Sequence, residues 1–343
     1  MSVCVLSTLL TILALVLTRW LHSRVDLQPV VTPRQLPEGE DAPLISVIVP
    51  ARNEERNIRR CVAALLAQSY PQLEVIVVDD CSQDDTPRIL AEMAAAQPRL
   101  RVHRGEPLPA GWAGKPHALQ QGARLARGEW LCFVDADTFA HPDLLSSVYL
   151  AAREHHADLF TILTDQELGS FWEKVVLPLV FIGLSFGFPA DRVNDPTQAE
   201  AIANGQFILI RRQVYQALGG HAAIKNRIDE DKALAEVVKG AGYRLVFADG
   251  RTLARTRMYT SLAEMWEGWT KNIFLGLRDR LGLLLFGAVV ALAGALALPV
   301  WLLLGFLWWQ EAGGWQGVVV LLEAIVVWGY VILWRARGAR AMH

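Results

Sequence analysis

The sequence predicts an α/β fold, a parallel sheet with helices on both faces, and transmembrane helices at the two ends of the chain. Apolar runs of strand length alternate with segments of helix length between residues 44 and 280. These runs are continuously apolar, as in strands buried on both faces, and right-handed crossovers are expected to join them. The remaining apolar residues, which raise the mean hydropathy to +0.26, concentrate in residues 1–21 and 281–334.

The first segment, residues 1–24, is predicted to be a transmembrane helix. Residues 3–21 are predominantly apolar and reach the ~20 residues that a membrane span needs. A cleaved signal peptide is the competing interpretation. It is disfavoured because no basic residue precedes the apolar run, whereas Arg19 and Arg24 follow it. Residues 25–43 contain four prolines and are predicted to be a linker.

The central region is predicted to contain four strands alternating with three helices. The strands are Ile45–Pro50, Leu73–Val78, Leu100–His103 and Trp130–Val134, and the helices are Ile58–Ala67, Thr86–Ala96 and Lys115–Ala126. Two of the strands are followed by acidic pairs, Asp79-Asp80 and Asp135-Ala136-Asp137. Ligands bind at the carboxyl edge of such sheets, so these acids are expected to line a ligand crevice.

Carboxylates so closely spaced suit a hard divalent cation that holds a diphosphate, so Asp135 and Asp137 are candidate metal ligands. Asp79 and Asp80 are candidates to accept hydrogen bonds from ribose hydroxyls or a base N–H. For Asp84, Asp85 and Thr86, which precede a predicted helix, capping is the favoured interpretation.

The C-terminal part is predicted to form two further transmembrane helices over residues 281–334, followed by a basic tail at 335–343. Basic residues flank the predicted spans on the side of the central domain, and the loop at 310–314 has none. By the positive-inside rule, the central domain and the tail are expected to be cytoplasmic in a multi-pass protein of the inner (plasma) membrane. Residues 175–188, apolar but short for a span, are either a core helix or an interfacial segment.

Several function classes are disfavoured by the sequence. A net charge of −2 argues against a nucleic-acid partner, which requires a basic face. No Gly-x-Gly-x-x-Gly or Walker-type loop follows the first strand, which argues against a dinucleotide cofactor and against a backbone cradle for phosphates. The four cysteines have no Cys-x-x-Cys spacing, so neither a zinc site nor a disulfide framework is indicated.

Four ordered motifs carry a family resemblance: residues 46–55 (SVIVPARNEE), 77–86 (VVDDCSQDDT), 114–119 (GKPHAL) and Asp135-Ala136-Asp137. Together they resemble the signature of family 2 glycosyltransferases over about residues 44–275. The membrane-anchored layout and the Gly111–Lys115 segment (GWAGK) look closest to hopanoid-associated and carotenoid-type members. The resemblance implies a GT-A fold, which is Rossmann-like, and a nucleotide-diphosphate sugar as donor.

The resemblance also implies roles for individual residues. The nucleoside would be bound by Pro50, Arg52, Glu54 and Asp80, with Asp79 beside Asp80, and Lys115 would lie near the nucleotide or be a solvated lysine. Asp135 and Asp137 would bind Mg²⁺ or Mn²⁺. Asp231, in the run Asp229-Glu230-Asp231, is the candidate catalytic base, although an acidic helix start alone would stabilise a helix dipole.

The chemistry expected from this resemblance is a single displacement that inverts the anomeric centre. The Gln-x-x-Arg-Trp motif of processive relatives is absent, since residues 266–272 read WEGWTKN, so polymer synthesis is disfavoured. Trp266 and Trp269 share a helix face that suits either the site or a membrane surface, and Lys271 is a candidate to assist the diphosphate.

The expected acceptor is a lipid hydroxyl, on an isoprenoid-type molecule such as a hopanoid or a carotenoid, because the crevice would open close to the bilayer. Two alternatives remain open. One is transfer to a polyprenyl phosphate, and the other is a catalytically inactive membrane scaffold.

Overall fold

The structure is a computed structural model that describes residues 29–259 and 261–268 and four isolated positions, Val318, Leu322, Ile325 and Gly329. The described residues up to 268 belong to one compact unit. The predicted transmembrane helices at 1–24 and 281–334 and the tail lie outside the described residues, apart from those four positions. Within the described part of the chain, no helix is both long and apolar enough to cross a membrane.

The main sheet has seven strands, in the spatial order β3-β2-β1-β4-β8-β6-β9. Its strands are β1 (Ile45–Ala51), β2 (Leu73–Asp79), β3 (Leu100–Arg104), β4 (Trp130–Val134), β6 (Leu159–Leu163), β8 (Phe207–Arg211) and β9 (Leu245–Asp249). The four strands predicted from the sequence are β1 to β4, and each predicted boundary lies within one residue of the observed one.

One strand corrects the expectation of a parallel sheet. β8 runs antiparallel to both of its neighbours, β4 and β6, while the other pairs in this sheet are parallel. The apolar run Phe207–Arg211 indicates burial, but burial alone carries no information about strand direction. The sheet is therefore mixed.

Helices cover both faces of the main sheet. They are α1 (Ile58–Leu66), α2 (Thr86–Ala96), α3 (Gly114–Leu125), α4 (Leu144–Glu154), α5 (Phe171–Gly187), α6 (Ala190–Asn194), α7 (Arg212–Ala217) and α8 (Glu230–Gly240). Alternate residues of each strand enter different cores. Val47 and Val49 of β1 pack in one core with α1 and α4, whereas Ile48 packs in a second core with α3 and α8. This division confirms a sheet covered on both faces.

A second, three-stranded sheet lies beside the end of β4. It consists of β5 (Thr138–Ala140), β10 (Ala254–Thr256) and β7 (Asp165–Gln166), with β10 in the centre. β10 pairs antiparallel with β5 and parallel with β7. Since β5 begins directly after Asp137, this small sheet extends from the predicted metal site.

The described part of the predicted linker, residues 29–43, is attached to the compact unit. Val31 is buried, its N–H donates to the carbonyl of Asp249 over 2.8 Å, and the N–H of Asp249 donates to the carbonyl of Pro29 over 2.7 Å. Arg34 pairs with Glu154 on α4 at 2.7 Å. The segment thus covers the β9 edge of the sheet, which would otherwise offer unpaired backbone groups.

Residues 175–187 of the predicted core or interfacial segment lie in α5, and Phe188 follows the helix end. The helix begins at Phe171, where Ser170 and Glu173 form a capping box in which each side chain bonds the backbone N–H of the other residue. Glu173 is fully buried and also pairs with Arg257 at 3.3 Å. The first turn of α5 is therefore fixed to the segment that follows β10.

Close packing of α3 on β1 gives a first testable prediction. A Cβ atom at Gly122 would lie 2.4 Å from Cγ2 of Ile48, so Gly122→Ala should destabilise the fold by about 1–3 kcal/mol through overpacking. Urea denaturation of the purified full-length chain measures this loss. Gly240→Ala, at the end of α8 where a Cβ would meet nothing within 4 Å, is the matched control and should change stability by less than ~1 kcal/mol. Equal midpoints for both variants would contradict the prediction.

Candidate active site

The ends of four strands meet at one edge of the main sheet. Ala51, the last residue of β1, pairs with Asp79, the last residue of β2. Val134, the last residue of β4, pairs with Phe207, which is the first residue of β8. Because β8 is reversed, the segment before it lies at the same edge as the segments after β1, β2 and β4. The acids predicted from the sequence therefore converge with residues 204–206.

The loops after β1 and β2 are joined by hydrogen bonds in both directions. The N–H of Gln83 donates to Oδ1 of Asn53 over 2.8 Å, and the N–H of Asn53 donates to Oγ of Ser82 over 3.0 Å. The N–H of Glu55 likewise donates to Oδ2 of Asp84 over 3.0 Å. These bonds set the two loops as one unit.

Of the residues predicted to cap α2, some bond the helix start and some bond the loop after β1. Thr86 N–H donates to Oδ1 of Asp84 over 3.0 Å, so Asp84 does satisfy an amide at the helix start. Asp85 occupies the N-cap position but makes no side-chain cap bond, and its carboxylate instead pairs with Arg88 at 2.7 Å. The hydroxyl of Thr86 accepts from the N–H of Glu54 over 2.8 Å.

Of the residues predicted to bind the nucleoside, Arg52 and Asp80 are neighbours, with Nη1 of Arg52 lying 3.5 Å from Oδ2 of Asp80. A Cβ at Gly114, the first residue of α3, would lie 3.3 Å from that same oxygen. Asp79 is turned inward, and its Oδ1 accepts from the N–H of Ser82 over 3.1 Å. Pro50 is half-buried within β1. Asp80 is thus the acid of the pair that contacts Arg52.

Lys115 connects the end of β4 with the start of α8. Its Nζ lies 2.7 Å from Oδ1 of Asp135 and 2.7 Å from Oε1 of Glu230. Burial alone would lower the pKa of Lys115, but the charges of Asp135, Glu230 and Asp231 raise it well above its usual range. Lys115 is thus a cation held between carboxylates, with a side chain that is 36% exposed.

The predicted base, Asp231, lies in the first turn of α8 beside this lysine. Its Oδ2 accepts from the N–H of Gly205 over 3.0 Å, and its Oδ1 accepts from the N–H of Lys232 over 2.7 Å. A Cβ at Gly205 would lie 3.1 Å from Nζ of Lys115 and 3.2 Å from Oδ2 of Asp231. Glycine therefore permits the close approach of this backbone. Burial and the neighbouring Glu230 raise the pKa of Asp231 to about 6.

The pKa values of the acids after β4, and of Glu54 after β1, are also raised. Burial raises the pKa of Asp135 to about 6, with Asp137 and Glu230 adding to the shift and Lys115 opposing it. Burial also raises the pKa of Asp137, and so does the charge of Glu54. Burial, followed by the charge of Asp135, raises the pKa of Glu54 as well, although a hydrogen bond from Asn57 opposes it. The edge is a dense cluster of acids, with Lys115 between Asp135 and Glu230.

The acids after β4 suit a divalent cation that is completed by its substrate. Oδ1 of Asp137 is buried and has no hydrogen-bond partner among the described residues, as expected of a carboxylate prepared for a metal ion. No group of three or more metal-ligating side chains occurs within the described part of the chain. Asp135 and Asp137 alone fit a Mg²⁺ or Mn²⁺ ion bound by one or two carboxylates plus phosphate oxygens.

Two functional residues were given no role by the sequence. Glu230 pairs with Lys115 at 2.7 Å, whereas the sequence singled out only its neighbour Asp231. Gly205 supplies the N–H that fixes Asp231, a contact that no local pattern in the sequence indicates. Trp269 and Lys271, also considered for this site, lie outside the described residues.

Exposed apolar side chains occur on two elements near the small sheet. Phe171 and Trp172, at the start of α5, are 68% and 46% exposed, and Leu262 and Trp266, on a helical segment at 262–268, are 40% and 74% exposed. Both elements contribute to the same apolar cluster, in which Leu177 packs with Met265. We call Phe171, Trp172, Leu262 and Trp266 the aromatic surface.

Among protein families, the chain matches the model described as Glycosyl transferase family 2 over residues 46–219. Among curated proteins, the chain is similar to the 4,4'-diaponeurosporenoate glycosyltransferase of Staphylococcus aureus (strain USA300). The two are 26% identical over 262 residues, covering 73% of this chain and 68% of the relative. The enzyme of the same description from Staphylococcus haemolyticus is 27% identical over 248 residues, covering 70% and 63%.

Among solved structures, the chain is similar to a mannosyltransferase from Pyrobaculum calidifontis in complex with GDP-Man and Mn²⁺. The TM-score is 0.57 at 20% identity, and the similarity covers 94% of this chain and 90% of the other. At that identity the similarity establishes the fold, which is GT-A-like with a central mixed sheet.

Proposed function

The chain belongs to glycosyl transferase family 2 and is a glycosyltransferase, and we propose that it transfers a sugar from a nucleotide-diphosphate sugar to a membrane lipid. The observation that carries the proposal is the juxtaposition, at one sheet edge, of the Arg52–Asp80 pair with the cluster of Asp135, Lys115 and Asp231. The first group suits a nucleoside and the second suits a diphosphate and a reacting hydroxyl.

On the donor side, the nucleoside would contact Arg52, Asp80, Glu54 and Pro50 across the joined loops. Asp135 and Asp137 would hold Mg²⁺ or Mn²⁺. When bound, such an ion supplies Lewis-acid stabilisation to the negative charge of the leaving diphosphate. The mannosyltransferase of similar fold, which contains GDP-Man and Mn²⁺, supports the pairing of a nucleotide sugar with a cation.

On the acceptor side, Asp231 would accept the proton of the attacking hydroxyl. The N–H groups of Gly205 and Lys232 hold its carboxylate in place, and the attack occurs on the face of the sugar opposite to the diphosphate. A single displacement of this kind inverts the anomeric centre and needs no covalent sugar intermediate. Lys115, by pairing with Asp135 and Glu230, keeps the acid clusters of the donor and acceptor sides together.

The acceptor we propose is the hydroxyl of an isoprenoid-type lipid such as a carotenoid or a hopanoid. The aromatic surface supports this, because Trp and Phe side chains exposed on adjoining helices are favoured at a membrane interface. The Staphylococcus relatives are described as diaponeurosporenoate glycosyltransferases, which also supports an isoprenoid acceptor. We further propose that segments 1–24 and 281–334 anchor the chain in the inner (plasma) membrane, with the catalytic domain on the cytoplasmic side.

The test is an incubation of the full-length chain with membrane lipids, Mg²⁺ or Mn²⁺, and labelled UDP-glucose, UDP-N-acetylglucosamine or GDP-mannose. Mass spectrometry of the lipid fraction should reveal a labelled glycoside of an isoprenoid alcohol. A labelled polyprenyl phosphate would establish the alternative acceptor. Nucleotide binding without any transfer would establish the inactive scaffold, and equally fast transfer to a water-soluble acceptor would exclude a lipid-specific enzyme.

The raised pKa of Asp231 gives a prediction for the pH dependence of activity. Burial raises the pKa of Asp231 to about 6, and its proposed role needs the carboxylate form. The value of kcat/KM should therefore fall as the pH drops through about 6, with a slope approaching one in a logarithmic plot, because kcat/KM reports groups of the free enzyme. An acid limb centred near 4 would show that Asp231 keeps its ordinary pKa in the working enzyme.

A further inference from the structure

A hydrogen-bonded cluster of neutral polar side chains lies around Gly205. Its members are Thr164, Gln166, Asn204 and Gln206, which we call the amide cluster. Asn204 and Gln206 flank Gly205, whose N–H holds Asp231. Gln166 lies in β7, next to Thr256 of β10 in register, and the Thr256 hydroxyl donates to the carbonyl of Asp137 over 3.2 Å. The cluster thus spans from the predicted base to the predicted metal ligands.

The side-chain oxygen Oε1 of Gln206 is the centre of the amide cluster. It accepts from the hydroxyl of Thr164, from Nε2 of Gln166 over 3.4 Å and from Nδ2 of Asn204 over 3.3 Å. Three donors on one oxygen fix the orientation of the Gln206 amide. Thr164 and Gln206 are almost fully buried, so they form the floor of the cluster, and Gln166 and Asn204 are half-buried above it.

Gln166 has hydrogen-bonding capacity that the described structure does not use. Its Nε2 donates to Oγ1 of Thr164 over 3.3 Å and to Gln206, but its Oε1 is buried with no partner among the described residues. A buried amide oxygen without a partner costs about 1–3 kcal/mol, unless a bound group satisfies it. A hydroxyl donor is the natural partner, because Oε1 can only accept.

We propose that Gln166, in the amide cluster, is a specificity-determining residue for the transferred sugar. The inference rests on the proposed function. The transferred sugar must lie between the diphosphate at Asp137 and the base at Asp231, and the amide cluster borders that position. Neutral amides suit a neutral sugar, since they bond hydroxyls without adding charge to a pocket already dense in acids. Gln166 Oε1 accepts a hydrogen bond from one hydroxyl of the sugar.

Ligand pairs that differ only by the sugar isolate this contact. The affinities of the full-length chain for UDP and UDP-glucose, and for GDP and GDP-mannose, are measured by calorimetry with Mn²⁺ present. Gln166→Ala should weaken binding of the accepted nucleotide sugar about 3–10-fold, the effect of one neutral hydrogen bond, and leave the nucleoside diphosphate within about twofold. The matched control is Gln97→Ala, an exposed glutamine after α2, which should change neither affinity.

A series of monodeoxy analogues of the accepted donor identifies the hydroxyl. One deoxy analogue should bind to the wild type about 3–10-fold more weakly than the intact donor does. To Gln166→Ala, that analogue and the intact donor should bind equally, because the substitution has already removed the same hydrogen bond. Equal weakening of nucleotide and nucleotide sugar, or no change in either, would overturn the inference while leaving the proposed function standing. If the wild type bound none of the four ligands, the proposed function would fail first and the inference with it.

Discussion

Replacing Asp231 with Asn is expected to lower kcat for sugar transfer by about 10²–10⁴-fold, the contribution of a positioned general base. Asparagine keeps the size of the side chain and can still accept one of the two hydrogen bonds that Gly205 and Lys232 donate to Asp231. The affinity for the nucleoside diphosphate should stay within about twofold, because the Arg52–Asp80 pair is unchanged. Steady-state transfer rates and nucleotide calorimetry measure the two effects separately.

Asp229→Asn is the matched control for this substitution. Asp229 lies two residues before Asp231 and carries the same charge, but its carboxylate is engaged by the guanidinium of Arg227 at 2.7 Å. Loss of the Asp229 charge should leave kcat within about threefold of the wild-type value, since surface ion pairs contribute little. Comparable losses in both variants would show that a general acidic environment is needed at this helix start, and would remove Asp231 from the role of base.

Replacing Lys115 with Met is expected to destabilise the fold and to abolish most activity. Without the ammonium group, Asp135 and Glu230 lose a partner at 2.7 Å and repel each other and Asp231. Removing one partner of a buried ion pair costs about 3–5 kcal/mol, and because Lys115 is 36% exposed we expect about 1–3 kcal/mol. Chemical denaturation measures the loss.

The pH dependence of that loss identifies its cause. The Lys115 pKa is raised above its unfolded value, so the lysine remains charged through neutral pH, and the attraction is lost on the acid side as Asp135 and Asp231 protonate near 6. The difference between Lys115→Met and wild type should therefore be larger at pH 8 than at pH 5. Lys225→Met, at an exposed lysine, is the control and should show no such difference. A pH-independent loss would point to packing instead of charge.

The sequence was sufficient to predict strands β1 to β4 and helices α1 to α3, because a buried strand and an amphipathic helix have distinct apolar periods. It was also sufficient to predict that the acids after β2 and β4 lie at one edge of the sheet, since neighbouring parallel strands end at a common edge. The direction of β8 was missed because the run from Phe207 would read the same in either orientation.

The side-chain contacts within the site depend on tertiary structure that no local pattern encodes. Lys115 and Glu230 are separated by more than a hundred residues, and only the packing of α3 and α8 on the same face of the sheet brings them together. Gln166 lies in a strand of two residues, too short to show any periodicity. In contrast, Asp135 and Asp137 could be found from the sequence because their neighbours in the chain are also their neighbours in space.

The reversal of β8 has an electrostatic consequence for the whole edge. A backbone N–H just before a strand is not used in the hydrogen bonds between strands. Because β8 is antiparallel, such an N–H lies at the sheet edge where the acids are clustered. Gly205 directs that donor at Asp231, which favours the ionised form and offsets part of the repulsion from Glu230. The backbone thereby contributes a fixed partial positive charge beside Asp231, which no side-chain substitution elsewhere in the pocket would remove.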